Sequence, residues 1–408
     1  MKKALIIIAI VIVALLIIGF VFVLLTGDIV EEVLFDKEAQ VTMNDDFTGP
    51  RNGSEHIERD GIFNSLIIHP TNPDIVYVGT ETNGLFKSID GGTNWQWLRT
   101  GLLHNYRGFP EAYDMQININ NPNTLYTVFT NGPAPADVSP GAGFYISNNA
   151  GETWEQRING LPNTGTNSIG IAYGETDRII ISADGHDSTN YRIKEAPPGG
   201  IFYSDDQGNN WQAATLPTNG EENKYMRMIT RGDIVYTCGV RNAEERIGDN
   251  PLMFDYEKSI GLLRSTDRGS TWEIAHAGIC FYFDVSADGN IIYHNDDQGN
   301  LYGSTDAGEI WEQINSPSSN TLKISPHDSD FILFAVGGSL FKTTDGFISS
   351  KRVFDLNARN IGFDDIEFTS DPNTIYAGGD GYRIYKSLDA GESWSEISNL
   401  RNYIDIYE

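Results

Sequence analysis

An eight-residue pattern, Ser/Thr-x-Asp-x-Gly-x-x-Trp, constrains this chain more than any other feature. It occurs in full as Ser88–Trp95, Ser204–Trp211, Ser265–Trp272, Ser304–Trp311 and Ser387–Trp394. Ser147–Trp154 carries Asn149 in the acidic slot, and Thr343–Asp345 keeps the first half but loses the Gly and the Trp. Each copy follows a short apolar run and precedes another, as a β-hairpin turn does. The hydroxyl and the carboxylate accept hydrogen bonds from turn N–H groups that no neighbouring strand satisfies. The Gly admits a positive φ, and the Trp must bury its ring against the sheet. The residues of the acidic slot (Asp90, Asn149, Asp206, Asp267, Asp306, Asp345, Asp389) and the indoles (Trp95, Trp154, Trp211, Trp272, Trp311, Trp394) are therefore read as structural staples rather than catalytic groups.

The pattern resembles the Asp-box, or BNR repeat, of sialidases, sortilin-type receptors, xyloglucanase-type glycoside hydrolases and photosystem assembly factors of the Ycf48 type. The resemblance implies an all-β fold, a seven-bladed β-propeller of four-stranded antiparallel blades. It places each box between the third and fourth strands of its blade.

The spacing agrees. A four-stranded blade takes about 40–45 residues. The last three intervals between boxes are 39, 39 and 44 residues, and the first three are 59, 57 and 61. A second element, seen at His69–Tyr77, Asn120–Tyr126, Pro326–Leu333 and Ser370–Tyr376, sets turn residues before an apolar strand. With strands lettered A to D from the centre outward, this element is the A–B turn. The A–B and C–D turns then share one face, and the B–C and D–A loops share the other.

The N-terminus is different in kind. Lys2 and Lys3 precede a 22-residue apolar run, Ala4 to Leu25. As a helix it spans about 33 Å, enough for a bilayer core. The reading is a transmembrane anchor over 1–26, a polar acidic stalk over 27–60 and the propeller over 61–408. The lysines stay in the cytoplasm and the propeller is extracytoplasmic. A cleaved signal peptide is the rival, but no small-x-small site follows the run.

Composition excludes some functions. The formal net charge of −28 disfavours nucleic acid and an anionic membrane surface as partners. For Cys238 and Cys280 two buried free thiols are the favoured reading over a disulfide, and neither has metal-ligand spacing. His186 and Asp187 with His294 also lack a ligand signature. No phosphate loop, Cys-pair motif or nucleophile elbow occurs, so no cofactor and no metal is implied.

Candidate function falls on the B–C/D–A face. The surplus residues lie there, in Asn131–Ala142, Ala183–Gly199, Val240–Ser259 and Thr100–Ala112, on blades 1–4. Long loops on a compact scaffold are where binding sites concentrate. The loop after blade 1 offers His104, Tyr106, Arg107, Phe109 and Glu111, side chains suited to stacking on sugar or anchoring a protein. A protein or polysaccharide ligand is the expected partner, and the leading function is a binding or assembly module. The alternative is a glycoside hydrolase using two of Glu81, Asp184, Asp296, Asp297 and Asp380. In the xyloglucanase-type family a catalytic Asp follows the second strand of the first blade. Thr80-Glu81-Thr-Asn-Gly84 occupies the matching place, with Glu for Asp. No Arg-Ile-Pro segment of the sialidase kind occurs.

Overall fold

The structure is a computed structural model. It describes residues 42–43, 63–80, 83–104, 111–130, 142–162, 166–172, 177–183, 199–217, 223–241, 260–296, 298–316, 319, 321–356, 362–379 and 381–400. The expected anchor and stalk fall outside these residues, apart from Thr42 and Met43. No helix long and apolar enough to cross a membrane occurs among the described residues.

Seven four-stranded antiparallel sheets follow one another along the chain, each built from four consecutive strands. Blade 1 comprises Phe63–Ile68, Val76–Thr80, Leu85–Ser88 and Gln96–Leu98. The innermost strands of the others are Ala112–Ile117, Thr166–Ala172, Asn223–Arg231, Tyr282–Val285, Thr321–Ile324 and Phe363–Phe368. Each innermost strand touches those of the two neighbouring blades, so the sheets close into a ring. The fold is the expected seven-bladed β-propeller.

Burial follows from the blade stacking. The second strands are buried along almost their whole length, as in Val76–Thr80 and Leu125–Phe129. The cores lie between neighbouring blades, and each contains residues of both. Among the described residues the ring closes without strand exchange. The Leu66 amide donates to Asp365 Oδ2 at 3.1 Å, Asn83 Nδ2 to the Tyr382 hydroxyl at 2.8 Å, and the Tyr376 hydroxyl to the Pro73 carbonyl at 3.0 Å. Leu400 packs with Leu66, Val76 and Phe86.

All seven stapled turns form, each between the third and fourth strands. The hydroxyl at the first position donates to the Asp or Asn at 2.7–2.9 Å and accepts the amide four residues on at 2.8–3.1 Å. The amide at the seventh position donates to the same Asp or Asn at 2.8–2.9 Å. Asn149 makes these bonds without a charge and adds one from its Nδ2 to Thr153 Oγ1.

The degenerate copy in blade 6 is stapled as completely as the rest. Phe347 occupies the Gly position at φ 69° and is buried against Tyr293 and Phe334. It enters the core between blades 5 and 6, as the box indoles enter the cores of the other blades. One aromatic therefore does the work of the lost Trp from three positions earlier, in a left-handed conformation that strains a Phe, with Gly346 at φ 61° before it.

The staples also join blades. Box amides bond A–B turn carbonyls within a blade, as Gly91 does to Asp74 at 2.9 Å and Ala150 to Asn123 at 2.7 Å, so both turns share a face. A cation then reaches the box of the next blade. Lys87 donates to the Ala150 carbonyl at 3.0 Å, Arg157 to Gln207 at 2.9 Å, Arg264 to Ala307 at 3.0 Å and Lys342 to Ala390 at 2.7 Å.

The cysteines depart from expectation. Cys238 and Cys280 form a disulfide rather than two free thiols, with 5.4 Å between their Cα atoms. Cys238 lies on the second strand of blade 4 and Cys280 just ahead of the first strand of blade 5. Only the ring brings these positions together.

Candidate functional site

The strongest convergence of charge lies where the innermost strands meet. Pairing with the second strands puts Ser65, Asp114 and Asp365 at one level, and Asp284, Lys323 and Glu367 two residues further along. Arg227 joins the first level from a bulge between Met226 and Met228, at φ 51°. Side chains two apart on a strand face the same way, so the two levels look onto a common axis.

The acids bridge blades. Asp114 Oδ2 accepts the Ile169 amide at 3.0 Å, Asp284 Oδ2 the Ile324 amide at 2.7 Å, and Asp365 Oδ2 the Leu66 amide at 3.1 Å. Ser65 Oγ accepts the Met115 amide at 3.1 Å. Each bond runs from one innermost strand to the next blade's, supplying an acceptor to an amide that no strand pairs. Cations balance the acids, and Arg231 Nη2 lies 4.0 Å from Asp284 Oδ1. Lys323 Nζ pairs with Glu367, and Arg227 faces Asp365, Asp284 and Glu367.

Burial dominates the electrostatics. It pushes the Asp114 carboxyl up to about 7 and the Glu367 carboxyl to about 7, even with Lys323 beside it. The Tyr282 hydroxyl is pushed up to about 12 by burial, with Tyr113 and Asp364 adding to the shift. Lys323 and Glu367 are each about a fifth exposed, 21% and 22%, as side chains lining a narrow channel should be. Carboxyls raised this far gain and lose their protons near neutral pH, and the bonds between blades are well suited to fixing the ring.

None of these axial groups was among the loop-borne candidates. Their signal is an acid or base inside an otherwise apolar innermost strand, as in Tyr113-Asp-Met, Phe283-Asp-Val, Leu322-Lys-Ile and Asp364-Asp-Ile-Glu. Without knowing which strand is innermost, that signal reads as an ordinary solvent-facing alternation.

The loop candidates are placed only in part. Glu111 accepts from Thr130 Oγ1 at 3.0 Å, and its carbonyl accepts the Thr130 amide. His104 pairs with Thr42, and Leu103 with Met43, in a two-stranded antiparallel sheet. The segment before the propeller therefore adds a strand to the loop that carries His104. Tyr106, Arg107 and Phe109 lie outside the described residues. So do Glu81, Asp184, Asp297 and Asp380. Asp296 caps its own turn, accepting from the Asn300 amide and Nδ2 at 2.8 and 2.7 Å and from the Gln298 amide at 3.0 Å.

His294 meets another histidine. Its Nε2 lies 2.6 Å from His276 Nδ1, and its ring stacks on Tyr302. Burial, then the nearby His276, lowers His294 to about 4. His186 and Asp187 lie outside the described residues, and no group of three metal-ligating side chains occurs among those described.

The comparisons bear on the fold. No family model matches the chain. It is 24% identical over 279 residues to the xyloglucanase Xgh74A of Acetivibrio thermocellus, a match covering 65% of this chain and 32% of that protein's length. Among solved structures, an ancestral GH74 enzyme aligns with a TM-score of 0.54 at 14% identity, over 84% of this chain and 55% of that one. YCF48 from Cyanidioschyzon merolae aligns at 0.48 and 16% identity, over 69% of this chain and 83% of that one. The chain is a seven-bladed β-propeller that shares its architecture with the GH74 enzyme.

Proposed function

We propose that this chain is a membrane-anchored, extracytoplasmic binding or assembly module that holds a protein or glycan on the B–C/D–A face of blades 1–4. The observation that carries this reading is the commitment of the axial carboxylates and of Asp296. Asp114, Asp284 and Asp365 bind amides of neighbouring blades, Glu367 pairs with Lys323, and Asp296 caps its own turn. Carboxylates tied into the scaffold support a rigid frame for loops rather than an attack on a glycosidic bond. The disulfide supports the compartment, since such bonds persist where the surroundings are oxidising. The Lys2-Lys3 flank before the apolar run supports the orientation.

The similarity to a xyloglucanase favours a second reading, a glycoside hydrolase using a pair from Glu81, Asp184, Asp296, Asp297 and Asp380. Such a pair works at about 5 Å or about 6.5–9.5 Å. A glycan array and a reducing-sugar assay on xyloglucan separate the two. Binding without turnover is expected of the module. Turnover that Glu81→Gln abolishes would replace the first reading with the second.

A further inference from the structure

Two ties join blade 4 to blade 5 close together, at the end of their junction nearer the B–C/D–A face. One is covalent. Cys238, on the second strand of blade 4 (Ile234–Arg241), is bonded to Cys280, three residues past the outermost strand (Glu273–Ala277). The other is a hydrogen bond between histidines. His276 of that outermost strand and His294 of blade 5's second strand (Ile292–Asn295) place Nδ1 and Nε2 2.6 Å apart. The register makes the two ties neighbours. Cys238, Leu262 and His276 stand opposite one another across blade 4, and Phe283, His294 and Tyr302 across blade 5. The His276 ring stacks on Trp311 with centroids 4.7 Å apart, and the His294 ring on Tyr302 at 5.2 Å.

A bond between two neutral imidazoles uses one N–H and one lone pair. His294 is buried, and its Nδ1 makes no hydrogen bond among the described residues. An added proton must therefore take the shared lone pair or a buried nitrogen, and two charged rings set donor against donor. We infer that the His276–His294 pair is a proton-operated latch on the end of blade 4's outermost strand, and that the Cys238–Cys280 disulfide limits how far the latch opens. Gly278 supplies the hinge, at φ 121°, where a β-carbon would meet nothing within 4 Å. Beyond it, Cys280 stays fixed, and the Phe281 amide donates to the Asn295 carbonyl at 2.9 Å. The sign follows from burial, which lowers both histidines, so protonation favours the open form in which the rings meet water. Other charges at the junction leave that sign in place. Asp296 and the Asn295 backbone favour a charged His294 but do not outweigh burial and His276. Arg264 holds Glu273 at 2.9 Å and Glu309 at 3.0 Å, and Tyr236 stands opposite Arg264 in the register. Residues 278–281 form a D–A loop, so the swing reshapes the candidate face whichever ligand it holds.

The test is amide hydrogen exchange on the full chain between pH 4 and 7, corrected for the intrinsic pH dependence of exchange. Protection over residues 275–281 is expected to fall as pH drops below about 6.5, while that of Val76–Thr80 in blade 1 holds. With Cys238→Ala and Cys280→Ala together, the fall should steepen, up to about tenfold per pH unit for each proton taken up. His276→Phe keeps a ring on Trp311 but takes no proton, and it should flatten both profiles. An unchanged slope in His276→Phe overturns the inference. So does an equal fall at Val76–Thr80, which is global unfolding, and so do equal slopes with and without the disulfide. Should the cysteine-free chain not fold, the parent and His276→Phe decide between them, and a parent as flat as the variant overturns the latch.

Discussion

The rim and the axis of this propeller solve the same problem with opposite chemistry. At the rim, a repeated turn offers a carbonyl that a Lys or Arg of the preceding blade takes, as Lys342 takes that of Ala390. At the axis, an acid of one blade takes an amide of the next, as Asp114 takes that of Ile169. The rim repeats its stapled turn in all seven blades and adds the cation-to-carbonyl bond in four of them. The axis mixes Asp, Ser, Lys, Arg and Glu from blade to blade, with less access to water. Solvent explains the contrast. An exposed turn tolerates neutral or charged staples alike, as Asn149 and Asp90 show, whereas a channel that encloses charge must balance each acid against its neighbours.

The two regions should therefore respond very differently to mutation. The largest effect is expected from Lys323→Met, which removes the cation bonded to Glu367 and leaves only Arg227 facing it. A loss of about 3–5 kcal/mol should appear in urea unfolding, and adding Glu367→Leu should restore most of it. A loss under about 1 kcal/mol in the single variant would show that the axial pair is no stronger than a surface pair.

Blade 6 offers a middle case. Phe347→Gly loses a buried ring worth about 3 kcal/mol and relieves about 1 kcal/mol of left-handed backbone strain. A net loss near 2 kcal/mol is expected. A gain in stability would mean that the ring contributes nothing in place of the missing indole. At the rim proper, Asp267→Ala should cost about 1 kcal/mol, because water can reach the freed amides. Ligand affinity should not change, and a large affinity loss without destabilisation would put the boxes in the binding site.

Acidity separates the regions further. Hydrogen bonds from Ser393 depress Asp389 to about 2, so its contribution is complete above the ordinary carboxylate range and is lost as pH falls toward 2. Asp114 is raised to about 7, so its protonated form favours the fold at low pH, and that contribution is lost as pH rises from about 4 through 7. His294 acts against Asp114. It is neutral in the fold down to about 4, and its contribution is lost as pH falls from about 6.5 toward 4. Asp114→Asn keeps an acceptor for the Ile169 amide and removes the titration. In unfolding measurements between pH 4 and 7, the variant's stability should therefore rise more steeply with pH than that of the parent. Parallel curves would place the Asp114 carboxyl in its ordinary range.

How much was legible depended on how local each feature is. The stapled turns could be read because one backbone geometry demands the same few side chains every time, within eight residues. Blade 6 escaped a full reading because its aromatic stands at Phe347, where the repeat calls for Gly. The disulfide was missed because 42 residues separate Cys238 from Cys280 and only adjacent blades bring them together. The axial acids were missed for the same reason. Asp365 and the Leu66 amide are 299 residues apart in the chain.

By itself, then, the sequence determined the repeating unit, its turn chemistry and the order of strands, because these are settled by hydrogen bonds and burial within a few residues. Tertiary structure alone decided which strand faces the axis, which charges meet there, how the first and last blades join and which histidines meet between blades 4 and 5. Those are consequences of closing a ring, and ring closure juxtaposes residues that no local pattern connects.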